Sequence, residues 1–133
     1  MKHIVLGDSL KIGHPELDAE HEKLVTLVNE CVDISTTGGG SNAVEGKMVE
    51  LRDFLRFHVQ HEENIMAQLS YDLTEEEKYY HCKGLNELSS LQRQLSQGRA
   101  VLDVVQDIKS LILVTFLKTD MGLKSYLPEI RKG

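Results

Sequence analysis

At 133 residues the chain has one domain's worth of sequence, enough for a single sizeable core. Its 41% hydrophobic and 27% charged residues are ordinary for a globular protein and exclude a disordered chain. Fifteen basic against 21 acidic residues give a formal charge of -6, with no Lys/Arg cluster, no Trp and only three Phe and four Tyr. Such a surface works against nucleic-acid binding, by charge and by base stacking alike.

The opening Met1-Lys2-His3-Ile4-Val5-Leu6-Gly7-Asp8 has too short an apolar run for a signal peptide. The longest apolar stretch, Leu111 to Val114 with Phe116-Leu117, falls far short of a membrane span. Two cysteines, Cys31 and Cys82, make neither a disulfide framework nor a thiolate metal motif. The expectation is a cytoplasmic protein with no membrane partner.

Residues 1–17 read as an extended arm. A first helix is expected from Asp18, as N-cap, to about Ser35, with core-type residues at Leu17, His21, Leu24, Val28, Cys31 and Val32. Thr36 to Asn42 is a loop by its Gly, Ser and Thr content. The helical period resumes from Ala43 to about Leu69 through Met48, Leu51, Leu55, His58, Glu62, Ile65 and Met66. After a turn at Ser70-Tyr71-Asp72, Thr74-Glu75-Glu76-Glu77 reads as a capping box opening a third helix that Gly98 ends. A fourth runs from about Ala100 towards Asp120, and residues 121–133 read as a tail. Pro15 and Pro128 fall outside these helices. One all-α domain over 1–133 is expected, an antiparallel up-down four-helix bundle spanning 18–120.

Polar residues interrupt the apolar seams. His21 lies on the first, His58 and Glu62 on the second, Glu77 and His81 on the third, and Asp120 near the end of the fourth. Residues four apart share a helix face, so His58–Glu62 and Glu77–His81 can each turn two donor atoms to one bundle-centre volume. Burying one such group costs several kcal/mol, of the order of ~2–7, unless it is paired or bound to metal. Imidazole with carboxylate suits iron, manganese or zinc, and facing bundle helices are a known setting for di-iron and di-manganese sites. Each residue also has a plainer reading. His21 could be a hydrogen-bonded core histidine, His58–Glu62 a helical hydrogen bond, Glu77 the N3 residue of its capping box, and Asp120 a solvent-facing helix end. His61 reads as a flanking or surface residue, His14 as a hydrogen bond closing the arm, and Cys31 as a small buried hydrophobe.

Ile12 to His21, Phe57 to Met66, Tyr71 to His81 and Thr115 to Asp120 together resemble, in order, four motifs of the bacterial hemerythrins. The resemblance covers nearly the whole chain. It implies a hemerythrin-like fold and two non-heme iron ions, bridged by oxo or hydroxo and carboxylate groups, with manganese or zinc as alternatives. It further implies O2 or a related diatomic as ligand; with no room for an output domain at this length, a separate signalling or redox partner protein is expected. Two departures stand out. The family's third motif is HxxxH and its fourth HxxxxD, whereas Glu77 and Thr115 stand where histidines are expected. By the resemblance the ligand set is His21, His58, Glu62, Glu77, His81 and Asp120, with Glu62 and Asp120 bridging. An added carboxylate leaves an oxidase, peroxidase or ferroxidase-like activity as an alternative. A bundle with one metal or none, acting through protein interactions, is the third.

Overall fold

A computed structural model describes residues 1–5, 7 and 11–115. They form four helices, α1 (Pro15–Thr36), α2 (Ser41–Gln68), α3 (Glu75–Ser96) and α4 (Val101–Thr115), and no strand occurs among them. The expectations placed on Asp120 and on the tail 121–133 lie outside the described residues.

Consecutive helices run antiparallel. His21 near the start of α1 meets His58 late in α2, and Lys47 near the start of α2 pairs with Glu30 late in α1. Glu63 late in α2 reaches His81 early in α3, while Glu45 reaches Ser96 at the far end. Gly84 of α3 faces Thr115 of α4. α4 also packs on α1 and closes the ring, so the architecture is the four-helix bundle that the seams predict.

All three turns between helices close in the same way. Gly38, Ser70 and Gly98 take left-handed φ values of 81°, 59° and 97°. The next residue's N–H then reaches back five residues: Gly39 to the Ile34 carbonyl, Tyr71 to Met66 and Arg99 to Gln94, at 2.8, 2.8 and 3.0 Å. The second of these closures turns Tyr71 towards the start of α3.

The start of α1 differs from expectation. The helix begins at Pro15, and its N-cap is His14, whose Nδ1 accepts from the Leu17 N–H at 3.3 Å. Proline suits a first helical position, where its missing N–H is no loss. Asp18 is not the cap. Its carboxylate instead accepts from the Ile12 and Gly13 N–H groups at 2.8 and 3.2 Å, pinning the arm where it enters the helix. Farther out, Ile4 is buried and exchanges two hydrogen bonds with the Asn29 side chain.

The apolar core is in two parts. A large cluster runs from Leu24 and Leu55 to Leu88 and Ile112 and includes Cys31. Burial lifts the Cys31 thiol to about 11, which keeps it an inert hydrophobe. A smaller cluster of Ile12, Leu17, Ile65 and Met66 caps the other end. Along α1 the order is Leu17, His21, Leu24, and along α2 it is Leu55, His58, Glu62, Ile65. The polar residues therefore form a layer sandwiched between two dry ones.

The turn geometry can be tested apart from the site. A Cβ at Gly98 would meet nothing within 4 Å, so only the backbone angle resists a side chain there. Gly98→Ala should lower stability by about 1–2 kcal/mol, read as a lower urea midpoint; an unchanged midpoint would contradict the left-handed assignment.

Candidate metal centre

α1, α2 and α3 each bring an imidazole to the polar layer, where Glu62 lies at the centre. His21, His58, Glu62 and His81 are all at most 4% exposed. The Nε2 atoms of His21 and His58 stand 3.0 Å apart. Glu62 Oε2 is 3.1 Å from His58 Nε2 and 3.8 Å from His21 Nε2, while Oε1 is 3.3 Å from His81 Nε2. Both carboxylate oxygens are nevertheless buried without an aligned hydrogen-bond donor. Native interiors rarely leave a carboxylate in this condition, because the desolvation cost is uncompensated.

One donor atom each from His21, His58 and Glu62 lie within 4.8 Å of one another. Atoms each about 2.0–2.2 Å from a shared cation would be separated by about 3–4.4 Å, so small side-chain movements let the three close on an ion. Imidazole nitrogens with a carboxylate suit a transition metal rather than calcium or magnesium. The donor set and the orphaned oxygens of Glu62 therefore fit a metal ion.

A second tier of carboxylates stands behind the imidazoles, unforeseen in the sequence. Glu20 Oε1 accepts from His58 Nδ1 at 2.8 Å, and its Oε2 from His61 Nδ1 at 2.5 Å. The flanking position expected for His61 is thus a contact with this outer carboxylate, and its Nε2 lies 3.4 Å from exposed Glu16. Glu63 Oε1 lies 3.1 Å from His81 Nδ1. The available signal was adjacency. Glu20 precedes His21 and Glu63 follows Glu62, and a helical neighbour points about 100° away, towards the next helix.

Glu77 and Thr115 show their plainer roles. The Glu77 N–H donates to Thr74 Oγ1 at 3.0 Å, and its Oε1 accepts from the Thr74 N–H at 3.1 Å, completing the capping box. Tyr71 adds its phenol to the same Oε1 at 2.8 Å. Oε2 of Glu77 is buried without a hydrogen-bond partner. The Thr115 hydroxyl donates to the Leu111 carbonyl at 2.9 Å, a helical back-bond. A groove of about 400 Å³ between α3 and α4 passes Gly84 and Thr115, and His81 is not in its lining.

The charges at the centre are interlocked. Burial acts most strongly on Glu62 and opposes its ionisation, yet the imidazoles of His21, His58 and His81 hold it well below the usual carboxylate range. Burial likewise opposes charge on His58 and His81. Glu20 and Glu62 overcome it and raise His58, and Glu62 with Glu63 raises His81 to about 9. Without metal the centre is thus an ion-pair cluster in which His58 and His81 hold protons against Glu62. Stability drawn from a raised histidine is complete below its ordinary value of 6.5 and is lost as pH climbs through about 9. Stability drawn from Glu62 is present above 4.5 and is lost as pH falls from there. The thermal midpoint of the metal-free protein should be highest between pH 4.5 and 6.5 and decline towards about 9; a midpoint constant from 6.5 to 9 would contradict this cluster.

No described helix is long and apolar enough to cross a membrane. No family model matches the chain, and no solved structure matches it. Curated proteins do. Bacteriohemerythrins of Pseudomonas aeruginosa strains LESB58 and UCBPP-PA14 are each 25% identical over 120 residues, covering 90% of this chain and 78% of theirs. The bacteriohemerythrin of Pseudomonas paraeruginosa strain DSM 24068 / PA7 matches with the same identity and coverage. With the four-helix architecture and a buried His/Glu cluster able to hold a metal ion, this similarity over nine tenths of its length makes the chain hemerythrin-like.

Proposed function

We propose that this chain is a non-heme di-iron protein that binds or senses O2, or a related small diatomic, at a carboxylate-bridged site in the bundle centre. The supporting observation is how Glu62 divides: Oε2 faces His21 and His58, and Oε1 faces His81. A carboxylate with one oxygen on either side suits two adjacent cations. His21 and His58 would hold the first. His81 would hold the second together with Glu77, through the Oε2 that its capping role leaves over. Asp120 would be the other bridging carboxylate.

When bound, iron would supply the electrons that favour a diatomic ligand; the protein's contribution is position, charge and dryness. The Leu17–Met66 and Leu24–Leu55 layers exclude water on both sides. The His58 and His81 imidazoles carry protons in the metal-free state, so metal uptake must displace them and should tighten with rising pH. The sensing form of this reading calls for a signalling or redox partner protein, and the proposed setting is the cytoplasm.

One observation favours a second reading, a centre with a single metal. Glu77 Oε1 is held by both Thr74 and Tyr71, and the Thr115 hydroxyl by Leu111, so the side of the centre near His81 is poorer in donors. Iron analysis after anaerobic reconstitution, with optical spectra before and after air is admitted, separates these readings. Two irons per chain with a band that forms and reverses with O2 is the expected result. Two irons that oxidise once and do not recover would support an oxidase, peroxidase or ferroxidase activity instead. One iron per chain would support the single-metal reading, and less than one would overturn the metal centre. Glu77→His with Thr115→His should strengthen iron retention and O2 binding; no gain would count against aligning these two positions with the family's histidines.

A further inference from the structure

Two imidazoles of the centre share one arrangement. His58 and His81 each turn Nε2 to Glu62, and each turns Nδ1 to a different carboxylate, Glu20 on α1 and Glu63 on α2. We infer that Glu20 and Glu63 are positioning residues, each holding one histidine in the Nδ1–H tautomer so that its Nε2 lone pair faces the cation. The inference rests on the metal-centre reading, and it assigns Glu20 to the position built by His21 and His58, and Glu63 to that of His81.

The chemistry is one of elimination. An ionised carboxylate only accepts hydrogen bonds, and a neutral imidazole has a single N–H. A neutral His58 is aligned for a hydrogen bond to Glu20 through Nδ1 and not to Glu62 through Nε2, so its proton sits on Nδ1 and leaves Nε2 a lone pair for metal. The same holds for His81 and Glu63. Metal-bound histidines are commonly oriented in this way by an outer carboxylate, which also raises their basicity.

The placement follows from helix geometry. Each orienting carboxylate is the sequence neighbour of a centre residue, Glu20 of His21 and Glu63 of Glu62. Where His21 faces the centre, Glu20 is turned to the α1–α2 seam; where Glu62 faces the centre, Glu63 is turned to the α2–α3 seam. α1 and α2 thus each supply a donor to the centre and an anchor for a donor on the next helix. The two anchors are unequal. Glu20 has a side chain 12% exposed and clamped on its other oxygen by His61, whereas Glu63 is 37% exposed. Solvent weakens the more exposed pair, so Glu20 should matter more.

The test uses Glu20→Gln, Glu63→Gln and, as a control, Glu16→Gln, whose exposed parent side chain lies 3.4 Å from His61 Nε2. Imidazole nitrogen spectra of the metal-free protein, followed through an alkaline titration until each ring is neutral, read the tautomers directly. Wild type should show His58 and His81 as Nδ1–H. Glu20→Gln should shift only His58 towards Nε2–H, and Glu63→Gln only His81. Titration with Co2+ should show affinity about 10–100-fold weaker in the two variants, more so for Glu20→Gln, and unchanged in the control. Wild-type histidines in the Nε2–H form, or both variants binding Co2+ within about twofold of wild type, would overturn the inference. A wild type that takes up no Co2+ would count against the metal centre itself, and the tautomers would then decide the roles of Glu20 and Glu63 on their own.

Discussion

The structure turns on one carboxylate in the wrong place for a carboxylate. Glu62 is 1% exposed at the middle of a four-helix core, with both oxygens lacking an aligned donor. Left alone it would take up a proton or fail to be buried, since desolvation of an ion costs several kcal/mol. Instead three imidazoles from three helices approach it, and they keep it ionised. Once Glu62 is fixed as the hub, the other polar residues have a reason for their depth. His21, His58 and His81 surround its charge, and Glu20 and Glu63 stand behind His58 and His81.

The apolar layers on either side make this arrangement both costly and useful. They remove the water that would otherwise screen the cluster, so each contact counts for more than it would at a surface. The same dryness makes the metal-free centre a buried ion-pair network in which His58 and His81 hold protons they would lose to a cation. A metal ion would relieve the mismatch directly, replacing those protons and giving the Glu62 oxygens partners.

Much of this was legible in the sequence, because the signals were periodic. The bundle, the Thr74 capping box and the presence of His21, His58, Glu62 and His81 on inner helix faces follow from residues spaced three and four apart, and the loop at 36–42, the turn at 70–72 and the helix end at Gly98 from their Gly, Ser and Thr content. Interpretation failed where a side chain chooses between equivalent roles. Asp18 and His14 are both plausible caps, and only the arm's own N–H groups, which recruit Asp18, leave the cap to His14. Glu20 and Glu63 carry no periodic signal, because their partners come from other helices at no fixed sequence spacing. Glu77 belongs to both cases. Its spacing to His81 marks a seam residue and its spacing to Thr74 marks a cap, and one side chain with two oxygens can meet both demands.

On the proposed reading, Glu62 divides a space for two metal ions. Crystals of protein reconstituted anaerobically with iron, measured on either side of the iron absorption edge, test it most directly. The account predicts two anomalous peaks about 3.5–4 Å apart, one on each side of the Glu62 carboxylate, the first against His21 and His58 and the second against His81. A single peak beside His21 and His58 would contradict the dinuclear claim, and no peak within reach of Glu62 would contradict the metal centre altogether.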